Sequence, residues 1–388
     1  MEPVILLDLD THDANALVLE PAFNYDNVFQ RNLSVYKFEI GVTKFRMTHL
    51  SRPTNVLQPK MGCDDWNPTV NFSLRPWEIG SVEYELMGEQ CPDEFDRGCA
   101  RNLKNSADEL NRLGGSNPTV NAIEMAMAMQ TRRALVDSIF KIAWFGDVNF
   151  SAKVTAGAVN ISALPLKEQQ KLTRMLEHHN GWWSEIQARV GASGEYVKVR
   201  YVDTNDGTSG GNATKPANIA DYLRELRMAS HPILQFWNLD RPKVEWPVYL
   251  LQRGLFDALF KYYESLGTEI ANRFIIDGKP VENALVFENY TVLMMPEWDM
   301  FDFETGKMAA NGQSLTQRAI FTAPENLCGL AHAQSLEGAP ESALVIQKSP
   351  LIKDKGKSWM YASLGIGFGI AQPILMTVGY NSSETYAA

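Results

Sequence analysis

Cysteine is scarce in this chain. Four stand among 388 residues (Cys63, Cys91, Cys99 and Cys328), and no two are spaced Cys-x-x-Cys. Structural zinc sites and thioredoxin-type motifs rest on that spacing, so neither is expected. Four thiols in so long a chain do not make a disulfide scaffold, and a reducing compartment is the better expectation. Positive charge is also short: 36 Lys and Arg face 46 Asp and Glu, a net charge of −10. Dedicated nucleic-acid readers are usually basic, which sets that class aside. Long apolar runs are missing too. The nearest is Trp359–Tyr380, which is glycine-rich and holds Pro373; it reads as paired strands and not as a membrane span. The opening MEPVILLDLDTHD has no basic stretch before its apolar run, so it does not read as a signal peptide. What remains is an ordinary globular balance, 45% hydrophobic and 21% charged. It excludes a disordered chain, a collagen and a simple coiled coil, at a length suited to roughly two or three domains.

Along the chain, residues 1–56 hold only short extended pieces such as Val35–Val42. They read as an arm that needs a partner surface. Thr69–Leu74 places Val70, Phe72 and Leu74 on one face, and Ile79–Leu86 places Val82, Tyr84 and Leu86 opposite Glu83 and Glu85. This period-2 alternation around a Pro76-Trp77 link predicts an antiparallel two-stranded ribbon, which would be marginal by itself. Residues 90–116 are polar and mixed in charge, as a solvated helix and loop would be. Asn117–Gly146 is the clearest helix, with Thr119 as N-cap and Val120, Ile123, Met127, Ala134, Ser138 and Ile142 as its repeating face. Further helices are expected over Lys167–Glu177, from Pro216 through Ala229, and over Gly254–Leu266, the last stopped by Gly267. Strands are expected at Tyr196–Val202 and Trp246–Leu251, and as the main pattern from Arg273 onward, ending in Trp359–Ala371 and Ile374–Val378. The order is α+β rather than a regular βαβ alternation.

Catalytic patterns are thin. Val4–Asp13 puts Asp8 and Asp10 after an apolar strand, the DxD pair of Mg²⁺-dependent phosphohydrolases of the haloacid-dehalogenase type, where one carboxylate is nucleophile and the other acid/base. That pattern wants Thr or Val four residues after the first Asp, and His12 stands there. His178 and His179 are adjacent, so on a helix they diverge by about 100° and cannot easily share a metal. His12, His49, His231 and His332 lack ligand spacing. Ser209–Gly211 is not a phosphate loop, and neither HExxH nor GxSxG occurs. Gly365, Gly367 and Gly369 alternate in a strand-like run, which points to close backbone approach rather than a cofactor. The lysine-rich Lys348–Lys357 reads as a solvated loop.

The order of elements is the remaining clue. An arm, a ribbon at Thr69–Leu86, a long helix at Asn121–Gly146, an α/β block containing Trp246–Gly267 and Asp277–Trp298, and closing strands at Trp359–Tyr380 resemble the major capsid proteins of tailed double-stranded DNA phages. Their shell fold is shared with encapsulins. The resemblance implies an α+β fold with an N-terminal arm (1–56), an E-loop β-ribbon with a polar extension (57–116), a P-domain with its spine helix (117–180), an α/β A-domain (181–340) and closing strands (341–388). It implies a structural protein and not an enzyme, with no catalytic, cofactor or metal residues, that self-assembles as hexamers and pentamers into an icosahedral shell around phage DNA. Its implied partners are neighbouring subunits, portal, scaffold and decoration proteins, and packaged DNA held by weak nonspecific contact, with no membrane. Its implied place is the virion, after assembly in the host cytoplasm. The ribbon residues Phe72, Arg75, Trp77, Val82 and Tyr84 are the implied subunit interface. The alternatives are an encapsulin-like compartment and, from another class, the phosphohydrolase using Asp8 and Asp10.

Physical chemistry is consistent with a shell. Nine Trp, 13 Tyr and 18 Phe supply the aromatics that interfaces use. Trp66, Trp77, Trp182, Trp183 and Trp298 fall in loop-like or ribbon segments, where a subunit interface or the chain's own core would bury them. A negative chain grips phosphates weakly, as a DNA container should. Some shells of this family join an E-loop lysine to a neighbour's asparagine. No lysine lies between Lys60 and Lys104 here, and Arg75 stays protonated and cannot act as the nucleophile, so a noncovalent shell is expected.

Overall fold

The computed structural model describes residues 34–38, 44–50, 74–90, 122–193, 197–204, 213–235, 246–268, 273–276, 279–309, 312–332, 345–348 and 358–382. In chain order they form β1 (Ser34–Phe38), β2 (Lys44–Leu50), β3 (Leu74–Gly80), β4 (Val82–Gln90), α1 (Ala122–Phe145), α2 (Phe150–Thr155), α3 (Leu166–Leu176) and α4 (Trp182–Val190). Then come β5 (Arg200–Asp203), α5 (Pro216–Met228), α6 (Pro232–Gln235), β6 (Val248–Leu251), α7 (Arg253–Leu266), β7 (Arg273–Ile276), β8 (Lys279–Phe287) and β9 (Tyr290–Met294). The last are α8 (Pro296–Glu304), β10 (Ala319–Thr322), β11 (Leu327–His332), β12 (Val345–Lys348), β13 (Ser358–Ile370) and β14 (Met376–Tyr380). The expected α+β class is observed.

Among the described residues, a seven-stranded sheet in the order β5-β14-β10-β6-β9-β8-β7 divides two cores. Side chains alternate across a strand, and here both faces are apolar. Tyr201, Val378, Ile320, Leu250, Leu293 and Ala284 are successive Cα partners across six strands. All face the first core, beside α1, α3, α4 and α8. The neighbouring row of Phe321, Tyr249, Val292 and Leu285 faces the second core. There α5 contributes Ile219, Tyr222, Leu223 and Leu226, and α7 contributes Leu255, Ala258 and Leu259. Both helices match their expected faces. Pro216 starts α5, and Gly267 ends α7 in the left-handed conformation (φ 65°) that glycine adopts without steric cost. Leu255 and Leu259 are fully buried. Replacing either with Ala should cost about 2–5 kcal/mol, read as a lower urea midpoint of the unassembled chain. An unchanged midpoint would remove α7 from the core.

A five-stranded sheet holds β1-β11-β13-β12, with β4 on the other side of β13. Its neighbour is the pair β2-β3. This corrects the expected ribbon. β3 and β4 do not pair with each other: β3 runs antiparallel to β2, and β4 runs antiparallel to β13. The closing strands also differ from expectation. β13 and β14 are not partners but enter different sheets.

α1 ends at Phe145, one residue before the expected Gly146; the proposed cap Thr119 lies outside the described residues. Its inward face is Leu135, Ile139, Ile142 and Ala143, whereas Ala134 is exposed and Ser138 is only half-buried. Of the expected stripe Ile142 is buried, while at Ala134 and Ser138 tertiary packing turns the neighbouring Leu135 and Ile139 inward instead. α4 and α8 were missed. Trp182, Trp183 and Trp298 therefore sit on helices rather than in loops, and all three are buried in the chain's own first core.

The junction of α1 and α4 is tight. Gly181 N–H donates to the Gly146 carbonyl at 2.8 Å. A Cβ on Gly146 would lie 2.5 Å from the His179 carbonyl oxygen, and one on Gly181 would lie 2.6 Å from that of Ile142. The same turn holds β13: Phe368 N–H donates to His179 Nε2 at 2.8 Å, and Trp182 Nε1–H donates to the Gly369 carbonyl at 3.0 Å. A Cβ on Gly367 would overlap the Gly80 carbonyl, so at this one of the three alternating glycines close backbone approach is observed.

Candidate functional site

Asp8, Asp10 and Phe72 lie outside the described residues. Of Arg75 and Trp77 only the backbone is described, opposite His49 and Met47 on β2. Val82 and Tyr84 lie on β4 opposite Ile366 and Leu364 of β13. Both are half-buried, while Glu83 and Glu85 are exposed. Tyr84 packs against the first core, and its hydroxyl is buried without a hydrogen-bond partner. Burial pushes the phenol up to about 12.

Among the described residues, no group of three or more His, Cys, Asp and Glu could hold a metal ion. His178 is exposed, 3.9 Å from Glu177. His179 is buried, which pushes its imidazole down to about 4; neutral, it accepts the Phe368 N–H. Both histidines have structural or surface roles.

Among the described residues, a dense polar cluster is buried between α7, α8 and β10. Asp302 Oδ1 accepts from Arg318 Nη1 at 2.8 Å. Its Oδ2 accepts from Gln252 Nε2 at 2.6 Å and from the Ser314 hydroxyl. Thr316 Oγ1 lies 2.6 Å from Asp302 Oδ2 and 3.0 Å from Gln252 Oε1, and Gln252 Oε1 also accepts the Arg318 N–H at 2.8 Å. The guanidinium lies over Phe145 and Trp183, 5.0 and 5.4 Å from their ring centroids. Both carboxylate oxygens already accept protein donors, which makes this a structural pair and not a catalytic acid. The cluster was not anticipated. Its one sequence signal is charge or amide beside apolar strands: Gln252 follows VYLL, and Arg318 precedes AIFT.

Around it the aromatics interlock. Trp144 meets Trp182 at 4.6 Å and Trp298 at 4.9 Å, both edge-to-face, and Phe145 stacks on Phe301 at 3.9 Å. Phe303 and Leu166 are each 70% exposed, on α8 and α3.

At the start of α8, burial raises Asp299 to about 6 even though its Oδ2 accepts the Arg253 N–H at 3.2 Å. The folded state thus holds this proton more tightly than the unfolded chain does. The stability it contributes is full below about pH 4 and is lost as pH rises through about 6. Asp299→Asn keeps an oxygen for the Arg253 amide. It should raise the melting temperature at pH 7 and leave it unchanged at pH 4; an equal effect at both would show that the carboxylate's charge is not the cause.

No helix among the described residues is long and apolar enough to cross a membrane. No protein-family model and no curated protein matches the sequence. Among solved structures, the chain is similar to the capsid of a native GTA particle, with a TM-score of 0.47, 13% identity, and coverage of 92% of this chain and 90% of that one. It is similar to the procapsid of satellite phage P4, which includes a size determination (Sid) protein, with a TM-score of 0.47, 12% identity, and coverage of 94% and 89%. It is also similar to the SrpI encapsulin complex of Synechococcus elongatus, with a TM-score of 0.41, 12% identity, and coverage of 90% and 85%.

Proposed function

We propose that this chain is the major capsid protein of a tailed double-stranded DNA phage, a structural subunit that assembles as hexamers and pentamers into an icosahedral shell. One observation carries the reading: the path of the chain. β4 precedes the long α1, an α/β sheet follows, and the last two strands divide, β13 returning to β4 and β14 closing the seven-stranded sheet. The reading takes these elements as counterparts of the shell subunit's E-loop side, spine helix and axial domain. A subunit of this kind needs surfaces and not an active site, in keeping with a polar cluster whose carboxylate accepts protein donors at both oxygens.

In this reading the domains divide as the resemblance implies, and Phe72, Arg75, Trp77, Val82 and Tyr84 border neighbouring subunits. Portal, scaffold and decoration proteins are its further partners, and its place is the virion. DNA is enclosed with weak nonspecific contact, in accord with a net charge of −10.

The test is electron microscopy of the full-length chain expressed alone and with its neighbouring genes. Closed shells protecting nuclease-resistant DNA are expected. Shells filled with protein and free of DNA would point to the encapsulin-like compartment. A monomer that hydrolyses phosphomonoesters with Mg²⁺, and loses the activity in Asp8→Asn, would overturn the reading.

A further inference from the structure

α8 is apolar on both sides. Trp298 and Phe301 are fully buried, while Met300 is 51% and Phe303 70% exposed. Its apolar residues thus lie on two sides, and the described part of this chain covers one of them. Met300 and Phe303 stand three residues apart and form one patch. Carboxylates frame it: Glu297 and Asp299, each half-buried, on its N-terminal side, Asp299 also accepting the Arg253 N–H, and Glu304, which pairs with Lys141 at 2.7 Å.

α3 offers the opposite chemistry. Leu166 is 70% exposed at its start. Lys167, Lys171 and Arg174 are exposed at i, i+4 and i+7, so they share one stripe. Glu168 is the one carboxylate of this helix, and it pairs with Lys171 at 2.9 Å. Both α3 and α8 pack on α1. Each copy therefore displays an acid-framed apolar patch and a base-framed apolar patch on different helices.

We infer that the outer face of α8, through Met300 and Phe303, seats against the outer face of α3 of a second copy, with Leu166 in the contact and Lys167, Lys171 and Arg174 facing Glu297 and Asp299. This rests on the shell-subunit reading. Neither patch is self-complementary: two α8 faces would bring carboxylates together, and two α3 faces would bring cations together. An α8–α3 contact made without its reciprocal is head-to-tail, the kind that closes into rings. Its few side chains fall well short of the roughly 1,600 Å² of a stable pair. It acts by repetition around a ring, so its loss shows in assembly and not in the fold of one subunit.

The experiment uses the full-length chain and a charge-swap cycle. Glu297→Lys with Asp299→Lys on α8 should raise the protein concentration needed for assembly at least about tenfold, and so should Lys167→Glu with Lys171→Glu on α3. All four changes in one chain should restore assembly to near the original concentration. Phe303→Gln should weaken assembly likewise while leaving the subunit's melting temperature unchanged. Should the four-fold variant assemble no better than either pair, or Phe303→Gln lower the melting temperature because a segment of the same chain covers it, the α8–α3 contact is wrong although the shell stands. Should the unmodified chain form no oligomer, the shell reading fails and this contact with it.

Discussion

Asp302→Ala should destabilise the unassembled chain by about 3–5 kcal/mol, the largest loss expected from a single side-chain truncation here. Asp302 and Arg318 are 0% and 3% exposed. The cost is not the attraction that disappears but the charge that stays behind. Arg318 would keep a full positive charge over Phe145 and Trp183, and Gln252, Ser314 and Thr316 would each lose a buried acceptor. Taking out both charges should cost less than taking out one, because apolar replacements of a buried pair are often nearly neutral. Asp302→Leu combined with Arg318→Met should therefore retain more stability than Asp302→Ala. Urea unfolding of the three proteins gives the answer. A loss below about 1 kcal/mol for Asp302→Ala would mean that water reaches the guanidinium.

The second large effect belongs to glycine. Gly181→Ala adds one methyl group where α1 and α4 meet, with carbonyl oxygens of Ile142 and Ala143 at 2.6 and 2.7 Å from the new carbon and the Gly146 amide nitrogen at 2.8 Å. These neighbours are backbone and cannot rotate away. The two helix ends must separate, and overpacking of this kind costs about 1–3 kcal/mol or more. Separation would also strain the 2.8 Å His179–Phe368 and 3.0 Å Trp182–Gly369 hydrogen bonds that hold β13. The variant should lower the melting temperature and speed amide exchange along β13 as well as α4. Gly157→Ala is the control: that site has open space, though its positive φ (74°) adds a small strain of its own. Equal losses for both would show that the close approach is unimportant.

Local chemistry made part of this fold legible. Pro216 and Gly267 punctuate α5 and α7, and the apolar steps between them name the buried faces correctly. α4 was hidden because its sequence, two tryptophans after Gly181, carries no capping side chain. Its helix is held by what the tryptophans pack on. Val82–Leu86 was legible as strand, but the expected Pro76-Trp77 link lies inside β3, and the break between β3 and β4 falls at Ser81. Their partners lie on β2 and β13, and nothing local specifies a partner far away in sequence. The α8 and α3 faces were missed for the opposite reason: a sequence pattern cannot tell which apolar residue of a helix is left uncovered. Gln252, Asp302, Ser314, Thr316 and Arg318 are ordinary polar residues until the sheet brings them together.

β1 lies parallel to β11, with Ser34 opposite Cys328 and Phe38 opposite His332. About three quarters of the chain's length separates these partners. At a synthesis rate of roughly 5–20 residues per second, β1 waits on the order of 15–60 s after leaving the ribosome before its partner exists. β4 waits similarly for β13. The seven-stranded sheet is likewise left open until β14, its penultimate strand in the order, is made. A nascent chain cannot present a finished β1–β11 surface before residue 332 is made, nor a finished β4–β13 surface before residue 370. In the shell-subunit reading, synthesis of β13 is then the clock that keeps half-made subunits out of a growing particle.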